Sequence, residues 1–142
     1  MSRVRDIVHD RELFHVEESS TVAEVARKMA ELHVGAILVL SNGRLAGVFS
    51  ERDIMHRIVL EGRDPNHTVV RQVMSTNLTT VDELASLEEA MELMSTHGYR
   101  HLPVMRANHA VGFLSMRDLM KYELERKTEE LHHMRAYIHG TA

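Results

Sequence analysis

The chain has 142 residues, 44% hydrophobic and 27% charged, with a formal net charge of −4 when the histidines are neutral. That is enough apolar material for a real core, and the slightly acidic balance argues against a nucleic-acid binder, which carries an excess of basic residues on one face. The absence of cysteine excludes disulfides, thiolate zinc sites and a cysteine nucleophile, and 4% aromatic residues leave few platforms for stacking bases.

The opening stretch, Met1 to Asp10, has no apolar run of the kind a signal peptide carries. The longest apolar run, Ala36–Leu40, is too short to span a bilayer. The expectation is therefore a soluble, cytoplasmic protein, neither membrane-bound nor associated with nucleic acid. Ser20-Thr21 opens a helix, with Glu24 at capping-box spacing from Thr21. Val22, Val25, Ala26, Met29, Ala30 and Leu32 then follow helical periodicity. Ala36–Leu40 reads as a strand buried on both faces. Asn42-Gly43 is a hairpin turn, and Leu45–Phe49 is the returning strand. A second helix starts at Ser50. Glu61 to Asn66 carries Gly, Asp, Pro and Asn, the punctuation of a joint.

Beyond the joint the order repeats. Ser86 and Glu89 make the next cap, and Leu87, Ala90, Met91 and Met94 line one helix face. Leu102–Met105 and Ala110–Leu114 are strands around a turn at Ala107–His109, and a helix starts at Ser115. At an offset of 65 residues, Val16–Met55 lies over Val81–Met120 without a gap, with ten of forty positions identical. Upstream, Val4–Val8 lies over Val70–Met74 at an offset of 66. Two copies of a strand–helix–strand–strand–helix unit therefore make an α+β (mixed α/β) fold, expected as pseudo-symmetric repeats over residues 1–66 and 67–121, packed sheet to sheet. A tail, 122–142, follows. Neither unit alone has a large core; together they share one and leave clefts between them, where ligand pockets tend to sit.

Gly47-Val48-Phe49-Ser50-Glu51-Arg52-Asp53 recurs as Gly112-Phe113-Leu114-Ser115-Met116-Arg117-Asp118. Ser-x-x-Asp at a helix start is first of all a capping box. The recurrence of the whole pattern adds to this. The glycine permits close approach of something bulky. The helix start offers free N–H groups for a phosphate, and an aspartate in the first turn can accept both hydroxyls of a ribose. Together these suit a nucleotide better than a free anion.

With Gly98-Tyr99-Arg100-His101-Leu102-Pro103-Val104, these motifs make the chain resemble the CBS-domain family as a tandem pair, over about Val4 to Met120. The resemblance implies a regulatory module for an adenosine-bearing ligand: AMP, ADP, ATP, NAD(H) or S-adenosylmethionine. By position it implies Ser50 and Ser115 at phosphate or ribose and Asp53 and Asp118 at the ribose hydroxyls. It implies Arg52, Arg100 and His101 at phosphate, and Ile7, Val8, Val73, Met74, Gly35, Ala36 and Tyr99 around adenine. The Ser50/Asp53 cleft is favoured. Gly35-Ala36 stands where the second copy has Arg100-His101, so the clefts are expected to be unequal. The resemblance further implies a stand-alone homodimer, signalling in trans to a regulated protein. No catalytic residue is expected, for there is no P-loop and no glycine-rich dinucleotide fingerprint. The alternative is a dimerising interaction module with vestigial clefts.

Of eleven histidines, His97 and His101 are four apart, but Gly98 and Pro103 argue against one helix presenting both to a metal, and no metal site is expected. In the tail, Leu124, Leu131, Met134 and Ile138 form one apolar stripe. It either packs back on its own domain or meets a second subunit. Met134 to Gly140 resembles the tails of short stand-alone pairs.

Overall fold

Thr21 and Ser86 cap their helices as the spacing predicts: the Thr21 hydroxyl accepts the Glu24 N–H at 3.2 Å, and Ser86 accepts that of Glu89 at 3.1 Å. Each satisfies one of the free amides of a first turn. The computed structural model describes residues 2–138; His139 and Gly140, the end of the tail segment singled out above, lie outside the described residues.

In chain order the elements are α1 (Val4–Val8), β1 (His15–Glu17), α2 (Val22–Leu32), β2 (Ala36–Ser41), β3 (Arg44–Ser50) and a helical turn α3 (Glu51–Asp53). The chain leaves α3 as a π-helix over Ile54–Val59, wider than the regular helix expected from Ser50, and makes a 3-10 turn over Val70–Gln72. The second repeat follows as β4 (Val81–Asp82), α4 (Leu87–His97), β5 (His101–Arg106), β6 (His109–Ser115) and the long α5 (Met116–Ile138). The expected β-α-β-β-α order is present twice.

Each repeat forms a three-stranded sheet in which the first strand is parallel and the third antiparallel to the middle one. The duplication extends to an irregularity. The register slips after Val39 in one hairpin and after Val104 in the other, leaving Ala46 and Val111 as the extra residues of matching bulges. Strands β3 and β6 meet where the repeats face each other. The helix faces largely follow the periodicity: Val22, Val25 and Met29 are buried from α2, and Leu87, Ala90 and Met94 from α4. Met91, expected on that second face, is 39% exposed.

The two cores are built by exchange. The first joins Val22, Val25, Met29, Ile37, Val39 and Phe49 to Val70, Val73 and Met74. The second joins Leu87, Ala90, Met94, Leu102, Val104 and Leu114 to Val4 and Val8 from the far end of the chain. Backbone bonds tie each segment to its host: Val4 N–H to Ala85 O at 2.9 Å and Arg5 N–H to Glu83 O at 2.8 Å; Val22 N–H to Thr68 O and Val70 N–H to Ser20 O, both at 2.8 Å. The segment ahead of the first repeat thus closes the second core, and the linker ahead of the second repeat closes the first.

Helix α5 continues without a break past the repeat. Only Leu119 is buried along it, while Leu124 is 67% and Met134 59% exposed. The apolar stripe of the tail does not pack back on its own chain. No helix among the described residues is long and apolar enough to cross a membrane.

Candidate functional site

Ser50 ends β3, where the chain turns from extended backbone into helix, and this places its side chain at a helix start. Its Oγ accepts the Asp53 N–H at 3.2 Å, and its own N–H donates to Asp53 Oδ2 at 3.0 Å. The Ser50 hydroxyl lies 3.1 Å from the same oxygen. Capping is therefore a real job of this pair. It leaves Asp53 Oδ1 less engaged: the Ser75 hydroxyl is 3.4 Å away and the Arg57 guanidinium 3.7 Å. A carboxylate oxygen has two lone pairs, so Oδ1 keeps capacity to accept from a ligand hydroxyl.

The Ser50–Asp53 turn forms one wall of a cleft of about 570 Å³ between the repeats, within the range of small-molecule sites. Gly35, Ala36, Val48, Glu51 and Arg52 complete that side; Tyr99, Arg100, His101 and Pro103 come from the second repeat. The linker contributes Ser75, Asn77, Leu78 and Thr79. Another hollow, of about 550 Å³, lies between α2 and the π-helix, with Arg27, Arg63 and Asn66 as its polar residues. It contains neither cap motif and draws on one repeat only. The inter-repeat cleft is the candidate site, since polar groups from both halves converge there.

Of the expected residues, Gly35, Ala36, Ser50, Arg52, Asp53, Tyr99, Arg100 and His101 line this cleft together. Ile7, Val8, Val73, Met74, Ser115 and Asp118 are not among its lining residues. Val8, Val73 and Met74 are buried in the cores, and Ile7 packs against the second one. The carbonyls of Val73 and Met74 accept from Arg57 Nη1 at 2.8 and 2.9 Å. The bulky group that approaches the two strand glycines is also protein, for Met74 lies against Gly47 and Val8 against Gly112. Sequence reading missed the linker residues. They follow the repeated segment Val70–Met74 but share no repeated motif themselves, so no sequence signal marks them as wall residues.

The second cap motif repeats the first in its local bonds. Ser115 N–H donates to Asp118 Oδ2 at 2.9 Å, and Asp118 N–H donates to Ser115 Oγ at 3.0 Å. Here, however, Arg11 also binds the carboxylate, with Nη2 at 3.0 Å from Oδ1 and Nη1 at 2.9 Å from Oδ2. Burial by itself pushes the Asp118 carboxyl up, but the Arg11 hydrogen bond and those of Ser115 outweigh it, and the group is held below the ordinary aspartate value. Burial pushes His101 below the ordinary histidine value; nearby Asp118 opposes this and Arg100 adds to it.

His97 ends α4 and His101 begins β5, so the two do not share a helix. His97 stacks on Tyr99 at 5.9 Å and His101 lies against Phe113 at 5.1 Å. Among the described residues no group of three or more His, Asp or Glu side chains is placed to hold a metal ion.

Comparison with known proteins follows the same two units. The family profile described as CBS domain matches residues 4–60 and again 70–125. The chain is 39% identical over 119 residues to the CBS domain-containing protein YhcV of Bacillus subtilis, covering 84% of each. It is 33% identical over 125 residues to the mitochondrial CBS domain-containing protein CBSX3 of Arabidopsis thaliana, covering 84% of this chain and 61% of that one. Among solved structures, the CBS domain protein PAE2072 of Pyrobaculum aerophilum, complexed with AMP, superposes with a TM-score of 0.75 at 29% identity, over 82% of this chain and 89% of that one.

Proposed function

Because this chain belongs to the CBS-domain family, with two copies in tandem, we propose that it is a regulatory module that binds an adenosine-bearing ligand between its repeats. The observation that carries the reading is convergence: the Ser50–Asp53 cap from one repeat and Arg100 and His101 from the other line the same cleft. Asp53 Oδ1 receives the ribose hydroxyls. Ser50, Arg52 and Arg100 meet phosphate oxygens, where guanidinium groups bind well. Ala36, Val48 and Leu78 offer apolar surface for the base. The AMP complex of the Pyrobaculum relative supports this ligand class.

The module binds rather than converts its ligand, and it signals in trans to a protein it regulates. A homodimer gives that signal a moving part, as ligand between the repeats shifts the packing of two copies. The exposed apolar side chains of Met55, Val59, Leu60, Met120 and Leu124 support such an interface. The same surface favours the second reading, a dimerising interaction module whose clefts are vestigial.

Isothermal titration with AMP, ATP, NAD(H) and S-adenosylmethionine separates the two. Binding tighter than about millimolar, weakened at least about tenfold by Asp53→Ala, is the expected result. No binding by any of the four leaves the interaction module. ATP turnover abolished by Asp53→Ala overturns the non-catalytic part.

A further inference from the structure

We propose that Arg11 is an internal latch on the second cap motif, so that the chain takes one adenosine ligand rather than two. This rests on the ligand reading above and assigns the inequality of the two motifs to a single pair of positions.

Val4–Val8 and Val70–Met74 are equivalent at an offset of 66, and the structure uses them equivalently. Val8 lies against Gly112 as Met74 lies against Gly47. Three residues further on, the same offset pairs Arg11 with Asn77. Both therefore leave a core-closing segment beside a Ser-x-x-Asp turn. Arg11 reaches the acid of its turn and grips both carboxylate oxygens, at 2.9 and 3.0 Å. Asn77 has no charge to offer Asp53, and it lines the open cleft instead.

The consequence follows from how firmly the second carboxylate is already held. Asp118 Oδ2 already takes the Ser115 N–H and one arm of Arg11, and Oδ1 takes the other arm. A bidentate guanidinium–carboxylate pair is among the stronger polar contacts in proteins, and neutral ribose hydroxyls do not match it. Ligand at this motif has to open the pair first, and its apparent affinity falls by the fraction of time the latch is open. At Asp53 the competing groups stand off at 3.4 and 3.7 Å, and no such opening is needed.

The test is calorimetric stoichiometry with AMP on the full chain. The wild type is expected to bind one AMP per chain. Arg11→Ala is expected to bind two, with the new site gaining about tenfold or more in affinity, and Arg11→Ala with Asp118→Ala returns to one. Arg11 is 45% exposed, and a circular dichroism spectrum checks that the variant is folded. The reciprocal variant, Asn77→Arg, is expected to weaken the wild-type site about tenfold by closing it. Two comparable sites in the wild type, a single site in Arg11→Ala, or unchanged binding in Asn77→Arg overturns the latch while leaving the ligand reading intact. No AMP bound by either the wild type or Arg11→Ala overturns both.

Discussion

Gly47 lies directly against Met74. A Cβ added to Gly47 stands 2.6 Å from the Met74 sulfur and 2.9 Å from the Ser75 carbonyl oxygen. The thioether can swing aside, but the carbonyl cannot, because Ser75 and Val48 exchange backbone hydrogen bonds at 2.9 and 3.0 Å. The glycine in the repeated motif is thus a seat for the linker that closes the first core.

Gly47→Ala is therefore expected to destabilise the fold by about 1–3 kcal/mol through overpacking. Gly112→Ala falls in the same class, because its Cβ meets that of Val8 at 2.8 Å. Urea melts measure both, and an unchanged midpoint contradicts the account.

Arg57 staples the same linker from the other side, through the carbonyls of Val73 and Met74. Its equivalent 65 positions on is Tyr122, whose hydroxyl lies 2.7 Å from that of Ser2, ahead of the segment that closes the second core. Arg57→Met keeps an apolar stem but strands two carbonyls, and a loss of about 1–3 kcal/mol is expected in thermal or chemical denaturation. A melt identical to the wild type refutes the staple.

The Arg11–Asp118 pair predicts a pH dependence whose sign follows from linkage. The folded value of Asp118 is below its ordinary 3.8, so near that pH the unfolded chain binds more protons. The contribution is fully present above that ordinary value and is lost as pH falls through the folded one. Wild type should melt above Arg11→Ala at about pH 6, and the gap should narrow as pH falls below 3.8 and through the folded value. A gap that persists in acid shows that Arg11 stabilises by something other than this carboxylate.

Burial holds His101 below its ordinary 6.5, so at about pH 7 it is neutral. A phosphate arriving beside it raises its proton affinity, and binding should take up protons between the free and bound values. Titrations of AMP at about pH 6.5 in buffers of different ionisation enthalpy measure that uptake. His101→Gln should reduce it, leaving only what the phosphate itself contributes. Equal uptake in the two proteins places His101 away from the phosphate.

Both cap motifs were legible in the sequence because a capping box is a contact over three residues. The identity of the cleft walls was legible only in part. Ser50 and Asp53 lie within a repeated motif, Arg100 and His101 lie in the Gly98–Val104 stretch that carried the family resemblance, and all four line the cleft. Val73 and Met74, expected around adenine, have their side chains in the first core, and the sequence pattern alone does not tell a side chain that faces a base from one that faces a strand. Asn77, Leu78 and Thr79 carry no pattern of their own and become wall residues only through the path of the linker.

Local order along the chain determined the duplication, the helix starts and the hairpins, since each depends on neighbours within one unit. Which core each leading segment closes was left to tertiary structure. Val4–Val8 and Val70–Met74 have similar apolar content, and hydrophobic burial has no direction, so either pentad suits either core until the sheets are packed. The partner of Asp118 is a further case. Arg11 stands 107 positions away, and a charge pair over that distance is formed only by the fold that brings α1 beside β6.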